Sequence, residues 1–282
     1  MAQRQTRVRD ISQQAAVYGS VGLLTLFLLF PFLWMLSTSL KPAETIFSSP
    51  PQWIPWPPTL AHYRALWLDT HFARFFINTL VVAVGTTVVT VVISTLAGYA
   101  ISRFRFRGDR IFSVGLIVIQ MFPPVLLVIP IFIMMTALRL FDTHVSLIIT
   151  YCAFAVSFCT WILKGYFAGI PREIEEMGLV DGCTRFQALW KLVVPLSVPG
   201  IVAVALFVFI FAWQEYLFAL TFIGTTDMRT LAVGLSLMIG YREVLWGPLM
   251  AGGVLMTLPV VIVFMYFQKY LVYGLTLGAV KQ

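Results

Sequence analysis

Long uncharged stretches alternate with short charged ones along this chain, and that alternation predicts its elements. No Asp, Glu, Lys or Arg lies between Asp10 and Lys41, Arg74 and Arg103, Arg110 and Arg139, Asp142 and Lys164, Lys191 and Glu215, or Glu243 and Lys269. Each gap is near the ~20 apolar residues that a helix needs to cross the hydrocarbon core. The pattern predicts an all-α membrane protein with six transmembrane helices, over 15–36, 75–100, 111–135, 145–167, 199–223 and 247–271. Around them lie an N-terminal segment 1–14, an outer segment 37–74, a polar loop 170–199 and a C-terminal tail 272–282.

Composition agrees: 60% of the 282 residues are apolar, 11% are charged, and mean hydropathy is +0.90. The net charge of +7 is read through topology. With both termini in the cytoplasm, thirteen basic residues face inward and six outward (Lys41, Arg64, Arg74, Arg139, Arg229 and Arg242), which satisfies the positive-inside bias. The run Arg103–Arg110 then orients the chain and meets anionic headgroups, rather than nucleic acid. The first apolar stretch is too long for a cleavable signal and reads as a retained span. The outer segment holds six prolines (42, 50, 51, 55, 57 and 58) with Trp53, Trp56 and Trp67, which predicts a stiff interfacial strap without regular helix. Cys152, Cys159 and Cys183 and the three histidines form no cluster with ligand spacing, and no phosphate-binding loop occurs. No catalytic residue, metal site or cofactor is therefore expected on this chain.

The polar loop is the informative segment. Between Ile170 and Pro199 it carries Glu173, Glu175, Glu176 and Asp181, four of the 12 acidic residues. Pro171 suits a first helical turn, with the glutamates near its positive end. Asp181-Gly182 breaks that helix, and Thr184 to Gln187 has capping-box spacing for a second one. The second helix presents Phe186, Leu189 and Trp190 until Pro195 and Pro199 end it. The expected product is a rigid bent element with an exposed apolar and acidic knob.

Here the chain resembles the permeases of binding-protein-dependent ABC importers, whose cytoplasmic motif runs EAA, three residues, G, nine residues, I, one residue, LP. Glu176-Met177-Gly178, then Gly182, then Leu192-Val193-Val194-Pro195 keep that spacing, with Met177 and Gly178 in place of the family's alanines, Cys183 in place of the Ala after Asp-Gly and Val194 in place of Leu. The stretches 31–42 (PFLWMLSTSLKP) and 274–282 (GLTLGAVKQ) are similar to the maltose-permease branch of the carbohydrate importers. The resemblance implies the type I importer permease architecture, with residues 75–271 as its core. It implies Glu176, Met177, Gly178, Asp181, Gly182, Phe186, Leu189 and Pro195 as the coupling surface for a cytoplasmic ATPase homodimer, which binds the ATP and magnesium and whose dimer the tail can enter. It also implies a second, MalF-like permease, an extracytoplasmic sugar-binding protein, and a place in a bacterial or archaeal plasma membrane.

The substrate would be a sugar such as maltose or trehalose. A glycerol-3-phosphate importer is the alternative, disfavoured by the lack of Arg or Lys within the spans. Glu215, flanked by Trp213, Gln214 and Tyr216, is an acidic residue deep in an apolar segment, and it lines a sugar path or bonds another span. Gln120, beside the predicted kink at Pro123-Pro124, is the second path candidate, and Asn78 is a possible interspan hydrogen bond. An ion-coupled carrier would show more intramembrane charge or a repeat.

Overall fold

The computed structural model describes the backbone of residues 2–240 and 244–279, and side chains for residue 14 and for 17–240 and 244–270. Helix α1 spans Ala2–Ser39, α2 Ala61–Asp69, and α3 Phe72–Arg103. The next three are α4 (Asp109–Gln120), α5 (Pro124–Ala137) and α6 (His144–Ala168). Short helices α7 (Glu173–Val180), α8 (Arg185–Ala188) and α9 (Val194–Leu196) build the polar loop. The chain closes with α10 (Val198–Gln214), α11 (Leu217–Phe222), α12 (Leu231–Ser236) and α13 (Trp246–Ala279). Among the described residues, four stretches are long and apolar enough to cross a membrane: 17–39, 72–103, 144–168 and 246–270. They become six if each of two bent pairs is one span.

One bent pair carries the kink expected in the third predicted span, and the other revises the fifth. The third is two helices meeting at 100°, broken at Met121–Pro123, because proline removes a donor and restricts the residue before it. The fifth, expected to run straight through 199–223, enters at 80° from the polar loop and stops at Gln214. At the chain ends, the predicted segments 1–14 and 272–282 are helical from Ala2 and as far as Ala279, as extensions of α1 and α13. The last three residues of the tail lie outside the described residues, as do Arg242 and the side chains beyond residue 270.

Residues 1–70 and 237–257 form one compact unit. Its proline-rich strap contains more helix than the prolines suggested, since α2 begins once they have passed. The strap is pinned to the end of α1. Ser37 donates to the Trp53 carbonyl (2.7 Å), Thr59 N–H to Leu40 (2.8 Å) and His62 Nε2 to Lys41 (2.9 Å). Lys41 is buried with its ammonium 4.2 Å from the centre of the Trp34 ring, an attraction to the ring's negative face.

Residues 71–236 and 258–282 form the second unit, which holds the polar loop. Its spine is α3 against α6. The buried face of α3 is lined by small or polar residues, Thr86, Thr90, Ser94, Thr95 and Gly98, so the two backbones come close. Thr90 donates to Cys152 Sγ (3.4 Å), and a methyl at Gly98 would lie 3.1 Å from both Leu163 Cβ and Lys164 N. Towards the predicted outer end, Asn78 does not bond another span. Its amide instead donates to the carbonyls of Asp227 (2.7 Å) and Arg229 (2.9 Å) and holds the loop before α12.

Candidate functional site: the two-helix loop

The polar loop folds as helix, glycine turn, helix. The turn is at Gly182, whose φ of +86° falls where a side chain strains the backbone, with no atom within 4 Å of the missing Cβ. Thr184 and Gln187 form the predicted capping box: the Thr184 hydroxyl accepts from Gln187 N–H (3.2 Å), and the Gln187 side-chain oxygen accepts from Thr184 N–H (2.9 Å). The second helix ends at Leu196, between Pro195 and Pro199 as expected, but it is not a plain α-helix up to that point. It widens into a π-helical turn over Leu189–Val193, in which Val194 N–H reaches back to the Leu189 carbonyl, and then passes through α9. Pro195 has no N–H to give the Lys191 carbonyl, so a wider turn here costs less than it would elsewhere.

Burial divides the loop into two faces. Met177, Val180 and Phe186 are 61%, 87% and 64% exposed, and Glu176 and Asp181 accompany them outward. Large apolar side chains presented this way beside carboxylates suit a protein partner. Leu189 and Gly178 turn inward instead. Leu189 and Val193 join Tyr99, Leu163, Phe167 and Val204 in one buried cluster, so the second helix is rooted in the core of the spans. Gly178 leaves room for Leu192, whose Cδ1 would stand 2.5 Å from a Cβ there. Of the predicted coupling residues, these two shape the knob from beneath, while Glu176, Met177, Asp181 and Phe186 form its surface.

Adjacent glutamates have opposite fates, which the sequence reading missed. Glu176 is exposed and Glu175 is buried. Glu175 Oε1 accepts from Arg103 Nε at 2.5 Å, and its Oε2 accepts from the Tyr99 hydroxyl at 2.8 Å. Arg103 Nη2 donates in addition to the Ile170 carbonyl (3.0 Å). One signal could have found them: Tyr99 and Arg103 are four apart on one face of α3, and Glu175 shares the inner face of α7 with Gly178. Beside this knot lies a cleft of about 320 Å³, lined by Arg105, Arg172, Glu176 and Arg185 among others.

The predicted path residues fall into separate places. Glu215 occupies the break between α10 and α11, where its carboxylate accepts from Phe218 N–H (2.9 Å), Ala219 N–H (3.1 Å) and the Tyr151 hydroxyl. Trp213 is buried against Phe209 and Phe76, whereas Gln214 and Tyr216 are exposed. Gln120 lines a different cavity, of about 150 Å³, walled by Phe122, Phe154, Phe158, Phe207 and Phe211.

Known proteins resemble this chain in sequence and in fold. Over its whole length the chain is similar to the inner membrane ABC transporter permease protein YcjP of Escherichia coli, at 38% identity across 98% of this chain and 99% of that one. It is 37% identical to the trehalose/maltose transport system permease protein MalG of Thermococcus litoralis, across 94% and 95% of the two chains. In fold it matches a chain of a bacterial ABC transporter involved in the import of alginate, with a TM-score of 0.79 at 24% identity, covering 93% of this chain and 97% of that one. Residues 90–276, from mid-α3 through the polar loop and into α13, match the family described as binding-protein-dependent transport system inner membrane component, and the chain belongs to that family.

Proposed function

We propose that this chain is the permease subunit of an ATP-driven importer that moves a neutral di- or oligosaccharide, of the maltose or trehalose kind, across the plasma membrane of a bacterium or archaeon. The observation that carries the reading is the knob, a rigid two-helix element rooted in the core, with Glu176, Met177, Val180 and Phe186 turned outward. A cytoplasmic ATPase dimer seats on that face, and its closing and opening on ATP and magnesium drive the helices between inward-open and outward-open states. The hydrolysis belongs to the partner. A second, MalF-like permease completes the path, and an extracytoplasmic binding protein delivers the sugar. Relatives named for trehalose/maltose and for trehalose transport support the substrate class.

For the path itself, Gln120, Gln214 and Tyr216 supply exposed amide and hydroxyl groups, and Glu215, next to the buried Trp213, holds the helix break that separates Gln214 from Tyr216 and α11. The test is purification in mild detergent followed by reconstitution with binding protein. An ATPase subunit and a second permease should co-purify, and sugar should enter liposomes only with ATP. Uptake by the chain alone on an ion gradient would remove the reading.

A further inference from the structure

The polar loop is covalently joined to α6 and α10, yet the side chains of its first helix are fastened to a third element. Arg103, the last residue of α3, holds both Glu175 and the Ile170 carbonyl, and Tyr99 one turn earlier holds the other oxygen of the same carboxylate. The pair is well sealed, with side chains 5% and 11% exposed. Immediately before Tyr99, Gly98 presses α3 onto the backbone of α6 near Leu163 and Lys164. The inner end of α3 is therefore clamped on one side to the loop and on the other to α6.

Stability alone is a weak reason for such a pair, because a buried ion pair is often matched by apolar residues of similar volume. Its distinguishing property is direction. Two hydrogen bonds to the Glu175 carboxylate fix the rotation of α7 about its own axis, and a third holds the Ile170 carbonyl just ahead of it. At about 100° per residue, Met177 and Val180 then lie about 200° and about 140° round from Glu175, on the outward side.

We propose that Arg103 and Glu175 are positioning residues of energy coupling. They orient the knob towards the ATPase and pass its displacement into α3, so that α3 and α7 move as one body. This inference rests on the ATP-driven reading above.

The test uses the full complex in proteoliposomes and reads sugar taken up per ATP hydrolysed. Arg103→Gln and Glu175→Gln should still co-purify with the ATPase, and their uptake per ATP should fall about tenfold, the scale of coupling energies between linked sites. Exchange of the charges (Arg103→Glu with Glu175→Arg) should recover much of that loss. Arg103→Met with Glu175→Met keeps an apolar contact without direction, and it should assemble yet stay uncoupled. A normal ratio in the double-Met protein, or no recovery on exchange, would overturn the proposal. A wild-type complex that transports without ATP would instead defeat the importer reading itself.

Discussion

Tyr151 and Glu215, on α6 and at the end of α10, share a hydrogen bond at the point where the fifth apolar segment breaks. The same carboxylate caps α11 through the N–H groups of Phe218 and Ala219, which would otherwise lack partners. Glu215→Ala should cost about 2–3 kcal/mol, and Tyr151→Phe about 1–2 kcal/mol, since each removes a partner of a buried polar group. Thermal unfolding of the purified protein in detergent checks both. Glu215→Gln keeps an acceptor and should cost less. A Glu215→Gln variant of unchanged stability but altered sugar preference would return the carboxylate to the transport path.

The two loop glycines are constrained differently, Gly182 by its backbone angle and Gly178 by its neighbour Leu192. At Gly182 the space is open but φ is +86°, so Asn is accommodated while Val costs about 1–2 kcal/mol and lowers uptake at normal membrane levels. At Gly178 the obstacle is the movable tip of Leu192. Gly178→Ala should therefore cost under about 1 kcal/mol, and Gly178→Leu should dislodge α7. Equal uptake by Gly182→Asn and Gly182→Val would refute the backbone argument. Glu176→Lys, which reverses a charge on the exposed face, should abolish uptake and ATPase co-purification without removing the chain from the membrane.

Gly98 meets backbone rather than a flexible tip: a Cβ there would sit 3.1 Å from Lys164 N and 3.2 Å from the Thr160 carbonyl. Gly98→Val should destabilise by about 1–3 kcal/mol or more, because two helix backbones have to separate. Lower membrane levels and a lower unfolding temperature are the readouts, and a neutral result would show that α3 and α6 can part cheaply.

Asp142 provides a pH signature outside the spans. Burial pushes its carboxyl up, but the Thr225 N–H and hydroxyl, the Gly224 N–H and nearby His144 outweigh it, and the group titrates below its ordinary 3.8. A lowered carboxylate pKa adds stability that is present above the unfolded value and is lost as pH falls through the folded one. Wild type should thus lose stability below about pH 4 more steeply than Asp142→Asn. Identical acid limbs in the two unfolding profiles would refute this.

Much of the fold was legible because charges are costly in hydrocarbon and mark where helices end. The segment predicted at 145–167 is α6 at 144–168, and 75–100 is α3 at 72–103. The capping box and the Gly182 turn were legible for a similar reason, since each depends on residues within a few positions. The break at Glu215 was not, because apolar residues run on through Phe222 and the cause is a side chain reaching forward to cap the next helix. The division between Glu175 and Glu176 was signalled only by the spacing of Tyr99 and Arg103 and of Glu175 and Gly178, because the residue that buries Glu175 lies 72 positions away. Pro195 marked a change in the helix but not its kind, since a wider turn and a stop both accommodate a missing N–H.

The neighbouring glutamates also leave different marks on inheritance. A change at Glu175 can be answered within this gene, by a second change at Arg103 or Tyr99. Glu176 is exposed and has no such bonded partner on α3, so a change there is answered chiefly by the protein it meets. Across related genomes, position 175 should therefore drift in step with position 103, and position 176 in step with whatever protein it meets.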